Sequence, residues 1–214
     1  MKLYKITNID GKTRAGEINE TEWGDGVTHK ATGTGGKLCS DGFIHAYEHP
    51  YIAVLMNPVH GHYTPFLLWE AEGEIAIRDG QKKCGCKELT TIRQIPIPIL
   101  TKEQIVEIAI RCAMEVYKEP SFTKWANNWL NNVDRMIAVE RDVVLNIEVA
   151  SASEREKRAA MSAIWAAEWG ARDLVAKLDL YAANAMANAV NFKEEINLIQ
   201  IIEKVTGVKD GSII

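Results

Sequence analysis

Only four of the 214 residues are cysteine, Cys39, Cys84, Cys86 and Cys112. That is too few for a disulfide-stapled scaffold, and the amino terminus MKLYKITNIDGK lacks the apolar run of a signal peptide. The expected setting is therefore a reducing cytoplasm. Long hydrophobic runs are missing as well. The most apolar helical stretch, from about Met161 to Val190, is interrupted by Glu168, Arg172, Asp173, Lys177 and Asp179, whereas a membrane span needs about 20 apolar residues. A dominant charge is also lacking: residues 1–100 carry 11 basic and 12 acidic side chains, and residues 101–214 carry 14 and 17. This balance excludes a phosphate-backbone binder and is too weakly acidic for a mimic of DNA. Neither a nucleic acid nor a membrane is expected as a partner.

Histidine is absent from the whole chain after His62. All five lie between His29 and His62, so any site that binds or reacts through imidazole must be built from this short region. Most of the polar chemistry falls in Leu38 to Glu74, LCSDGFIHAYEHPYIAVLMNPVHGHYTPFLLWEAEGE.

Local patterns predict the elements. Leu3 to Thr7 alternates and is followed by Asp10-Gly11, which suits a first strand ending in a turn. Six glycines between Gly16 and Gly36 predict loops. Phe43 to Tyr47 reads as a short strand, and Pro50 suits the first turn of a helix through Ile52, Ala53, Leu55 and Met56. A loop with Pro58 and Pro65 is expected to carry His60 and His62. From Trp69 onward Trp69, Ala71, Gly73 and Ile75 point one way and Glu70, Glu72 and Glu74 the other, which predicts a strand with an acidic face. Leu89 to Ile95 would complete a hairpin with Cys84-Gly85-Cys86 at its tip, and Lys82, Lys83, Lys87 and Arg93 could answer the glutamates across it. Pro96-Ile97-Pro98 ends the sheet region.

Beyond Pro98 the pattern is helical. Thr101 with Gln104 and Ser153 with Glu156 are capping boxes. Ile105, Ile108, Ala109, Cys112, Ala113, Val116 and Tyr117 form an apolar stripe. A short helix from about Ser121 carries Trp125 and Trp129, and a third is expected through Val133, Ile137, Val144 and Ile147. The alanine-rich stretch Ala159 to Ala189 carries Trp165 and Trp169, with Gly170 a candidate break. Asn191 with Glu194 is expected to cap a last helix that ends at Gly207. The predicted fold is α+β: a small mixed or antiparallel sheet domain over residues 1–98, then an α-helical bundle over residues 101–214.

Several chemical readings compete over the same residues. Gly33-Thr34-Gly35-Gly36-Lys37 lacks the spacing of a phosphate loop and reads as a turn. His45, His49, His60, His62, Cys39, Cys84 and Cys86 are ligand types that zinc prefers, but no second cysteine pair completes a set, so no metal is expected. Cys39, Ser40, Asp41 and His45 are the residue types of a nucleophilic hydrolase, although closeness in sequence is not closeness in space. The paired tryptophans read as core, with a homodimer interface or a docking face as the alternative.

Two resemblances bear on function. LYKIT, Trp23, and Asp41-Gly42-Phe43-Ile44-His45 with the following helix and strand resemble small prokaryotic proteins of an ADP-ribosyltransferase-like superfamily, over residues 3 to about 74. That resemblance implies a split sheet around a cleft that holds NAD in active relatives. His45 and Tyr47 would position the ligand, with Trp23 and His60 beside them, and Glu70 or Glu72 would be the catalytic acid. The first strand departs from the pattern, because Lys5 stands where an arginine or histidine is usual. Nearly the whole chain also resembles uncharacterised proteins of phage and prophage genomes. This second resemblance implies an accessory protein that binds a host protein or a nucleotide-like ligand and antagonises host defence; the rival function is NAD-dependent transfer or NAD cleavage.

Overall fold

The computed structural model describes residues 1–133, 135, 143–144, 146–147, 150–172, 174–193 and 195–209. The architecture is α+β, and the chain divides into two compact units, one built on Met1–Ile99 and the other on Leu100–Gly207.

The first unit contains β1 (Lys2–Asn8), β2 (Lys12–Thr13), β3 (Thr21–Glu22), β4 (Val27–Lys30), β5 (Ile44–Ala46), α1 (Pro50–His60), β6 (Phe66–Asp79) and β7 (Lys83–Ile95). Every strand pairing among the described residues is antiparallel, so the sheet is not mixed. Its spine is the long hairpin β6–β7, bent by register shifts at Glu70/Ala71, Gly73/Ile75 and Ile75/Ile77. Bulges increase local twist and redirect a strand, and here they let β7 serve two partners. Its Glu88 to Thr91 stretch pairs with β4, while Cys84 to Cys86 pairs with β5. Tyr47, just after β5, then exchanges two backbone hydrogen bonds with Tyr4 of β1, at 2.8 and 2.9 Å. The path β1–β6–β7–β5 thereby closes on itself.

Closure explains the burial of the cysteines. Leu3, Trp23, Ala46, Ala71, Cys84, Cys86 and Leu89 form the core of this unit. Cys84-Gly85-Cys86 is consequently not an exposed hairpin tip, as the sequence suggested. The tip is at Asp79–Lys82, with Gly80 at φ 53, and Gly85 lies so close to its neighbours that a Cβ would be 2.5 Å from Leu38 Cδ1. Of the expected charge pairs across the hairpin, Arg93 reaches Glu70 at 2.9 Å. Lys82 pairs with Asp79, Lys83 turns to Cys39 and Lys87 to the Gly42 carbonyl.

Helix α1 starts as expected, with Pro50 in its first turn, but it runs through Pro58 to His60. Proline removes one backbone bond and crowds the preceding turn, a cost offset here by Asn57. The Asn57 carbonyl accepts from the amides of Gly61 and His62, and its side chain bonds both the carbonyl and the amide of Tyr63. His60 therefore sits on the last helical turn and not in a loop.

The second unit comprises α2 (Lys102–Val116), α3 (Pro120–Leu130), α4 (Glu154–Ala171), α5 (Val175–Phe192) and α6 (Leu198–Thr206). Both predicted capping boxes are formed. The stripe on α2 is buried, as are Trp125 and Trp129, whereas Trp165 and Trp169 are only half-buried. Trp165 packs against Tyr181. Alanines line the buried faces of α4 and α5, and small side chains let helix axes approach closely. The break falls after Ala171, one residue beyond Gly170. Asn197, not Asn191, caps α6 by accepting from the Gln200 amide; Asn191 is still within α5, and Glu194 lies outside the described residues. Ile137, on the third predicted helix, also lies outside them, while Val133 is exposed after α3. No described helix is long and apolar enough to cross a membrane.

Candidate ligand cavity

Among the described residues, the Tyr4–Tyr47 pair is the only bridge between β1 and the segment that follows β5. Continued in register, the ladder would set Lys5 against Ala46 and then Ile6 against His45. Instead the two strands diverge, and a cavity of about 490 Å³ opens beside the split. Lys5 and Ile6 of β1, His45 and Tyr47 at β5, and His60, Gly61 and Tyr63 at the end of α1 line it, together with Arg14, Trp23 and His29 to Thr32.

Lys5 crosses the base of the split. Its Nζ donates to the His45 carbonyl at 2.8 Å and lies 5.1 Å from the centre of a Trp23 ring. The side chain is buried, with no ion pair to a carboxylate among the described residues. Loss of hydration lowers its pKa to about 8, and the nearby Arg14 charge acts in the same direction. Arg14 itself adopts a left-handed backbone, φ 54. Such a conformation is uncommon outside glycine and asparagine.

The His45 and His60 imidazoles of the cavity are held neutral. Burial lowers His45 to about 4, assisted by the charges of Lys83, Lys5 and Arg14. Burial lowers His60 to about 3, with Lys83 and Lys82 contributing. At neutral pH the His45 Nε2, 2.5 Å from the Leu38 carbonyl, must carry the proton to donate there, which leaves Nδ1 as an acceptor. His60 stacks on Tyr47, ring centres 6.0 Å apart, and its Nδ1 shares a hydrogen bond with the Tyr47 hydroxyl at 3.3 Å. Burial raises the Tyr47 hydroxyl well above its ordinary pKa, so it keeps its proton.

All four residues expected to bind a ligand, Trp23, His45, Tyr47 and His60, line this one cavity. The two expected catalytic acids do not. Cross-strand partners share a face, and Lys5 faces Trp69 while Tyr4 faces Glu70 and Lys2 faces Glu72; both glutamates therefore lie on the face opposite Lys5. Glu70 is held there by Lys2 and Arg93, and Glu72 borders a separate groove with Glu74 and Glu88. Alternation assigned these carboxylates correctly to one face; which face meets the cavity depended on how the sheet closes.

Each member of the hydrolase constellation is engaged with another partner. Cys39 Sγ accepts from Lys83, Ser40 Oγ donates to the Lys37 carbonyl, Asp41 accepts from the Gly35 amide and His45 turns to Leu38. Among the described residues no three His, Cys, Asp or Glu side chains gather as metal ligands. Among the cavity residues that the sequence did not single out are Arg14 and Tyr63. Tyr63 follows the histidine pair directly, but its approach to the split depends on the Asn57 bonds at the end of α1.

Residues 1–103 match the model of a domain family described as a domain of unknown function, DUF7666. The match takes in every cavity residue and ends at the start of α2. No curated protein and no solved structure matches the chain.

Proposed function

We propose that the first unit is a binding module for a small nucleotide-like ligand, which it holds in the split between β1 and β5. The observation that carries this reading is the convergence, on one open hollow, of rings and of positive charge that has no carboxylate partner among the described residues. Trp23, His45, Tyr47, His60 and Tyr63 provide flat walls and directed hydrogen-bonding groups, while Lys5 and Arg14 provide cations for an anionic group. Ligand sites are commonly concave, largely apolar and supplied with a few convergent polar groups.

Binding is favoured over catalysis on two grounds. General acid–base chemistry needs a group whose pKa lies near the working pH; both histidines are far below it, and Lys5, at about 8, is tied to the His45 carbonyl. A glycosyl transfer from NAD would also need a carboxylate free to stabilise positive charge. Glu70 and Glu72 are on the other face, and at the rim Glu20 is paired with Lys12 while Asp41 holds the Gly35 amide.

The test is a thermal-shift and calorimetric series with NAD, ADP-ribose, AMP and cyclic dinucleotides. A ligand at a hundred times its dissociation constant should add about 2.7 kcal/mol of stability, and His60→Ala with Tyr63→Ala should abolish the shift. If no compound in the series moves the transition, the nucleotide reading falls.

A further inference from the structure

In the same unit, a lysine side chain points at a thiol. Lys83, the first residue of β7, is 8% exposed, and its Nζ lies 3.0 Å from the Sγ of Cys39. It makes no ion pair with a carboxylate among the described residues. Cys39 is exposed, in contrast to the buried Cys84, Cys86 and Cys112. The thiol is held in place from both sides: Leu38 before it is buried and gives its carbonyl to His45, and Ser40 after it bonds the Lys37 carbonyl. An oxidant can therefore reach the sulfur from solvent while the amine approaches it from the protein side.

We propose that Cys39 and Lys83 form a reversible covalent crosslink under peroxide, a redox-controlled modification site between the loop before β5 and the start of β7. The chemistry has two steps. Hydrogen peroxide converts the Cys39 thiol to a sulfenic acid and releases one water. The Lys83 amine, as its free base, attacks the sulfenic sulfur; an S–N bond forms, the S–O bond breaks, and hydroxide leaves with the amine proton as a second water. The sulfur is oxidised by two electrons and the peroxide is reduced by two. A thiol reverses the link by attacking sulfur and releasing the lysine amine.

The link would tie the loop before β5 to the start of β7. It would also replace the Lys83 ammonium by an uncharged nitrogen, removing a positive charge that acts on both His45 and His60. Any effect on ligand binding rests on the nucleotide reading above; the crosslink itself does not.

The experiment treats the full chain with a few equivalents of peroxide at mildly alkaline pH. Digestion without reductant and mass spectrometry follow. The expected product is a peptide pair joined through Cys39 and Lys83, lighter than the sum of the free peptides by two hydrogens and separated by dithiothreitol. Lys83→Arg keeps the positive charge and Lys83→Met the aliphatic stem; in both, Cys39 should continue to sulfinic acid or become trapped by an added thiol. If wild-type Cys39 proceeds to sulfinic acid as fast as in Lys83→Arg, with no joined peptide, the proposal is overturned. Ligand affinity measured on reduced and crosslinked protein then separates the two ideas, because a link without a change in affinity removes only the proposed control.

Discussion

Acid should weaken the first unit well before its carboxylates titrate, because His45 and His60 are neutral in the folded state and gain protons on unfolding. The sign follows from proton uptake. Between pH 6.5 and about 4 the unfolded chain binds protons that the folded one refuses, so stability falls as pH falls through this window. At pH 5 the unfolded imidazole is about 1.5 pH units below its midpoint, which corresponds to about 2 kcal/mol for each fully protected group. Both rings reach the open cavity, and solvent there reduces the effect to about 1 kcal/mol each. Lys5 adds no slope in this interval, since it is protonated in both states below its folded pKa of about 8; its own destabilising contribution appears higher, as pH falls from 10.5 to 8. The assay is urea unfolding at about pH 7.5 and about pH 5 for wild type and for His45→Gln/His60→Gln, so that terms shared by both proteins cancel. Wild type should lose about 2 kcal/mol more than the double variant. Equal losses, or imidazole resonances of His45 and His60 that titrate near pH 6.5, would refute the reasoning.

Two further outcomes test the closed sheet. Gly85→Val places side-chain atoms where a Cβ alone would stand 2.5 Å from Leu38 and 2.8 Å from Ile77, so it should cost about 1–3 kcal/mol through overpacking; a melting temperature unchanged from wild type would show that the strands are not so tightly drawn. Alkylation of the native protein should modify Cys39 rapidly, and Cys84, Cys86 and Cys112 only on unfolding. Labelling of all four at one rate would contradict the burial of β7 inside the sheet.

The periodic elements were legible in the residues themselves because their causes are local. Alternation from Trp69 marked β6, the hydroxyl and carboxamide of Thr101 and Gln104 marked the start of α2, and the α+β order followed from these spacings. The predicted cap at Asn191 failed for the opposite reason: helix α5 continues past it, and Asn197 offers an equally good cap closer to the apolar stripe. Pro58 misled in the same way, since the bonds made by Asn57 across the end of α1 are invisible to a propensity argument.

By itself, the sequence confined the histidines to one stretch, and the resemblance of its first part to ADP-ribosyltransferase-like proteins singled out Trp23, His45, Tyr47 and His60 as candidates. Tertiary structure decided which of them meet. Pairing of β5 with β7, and of Tyr47 with Tyr4, joins segments some forty residues apart and turns one face of the hairpin inward. A strand's alternation defines two faces without saying which is inside. For that reason Cys84 and Cys86 became core, Glu70 and Glu72 were left on the far side from the cavity, and Lys5 came to lie in the ring-lined split.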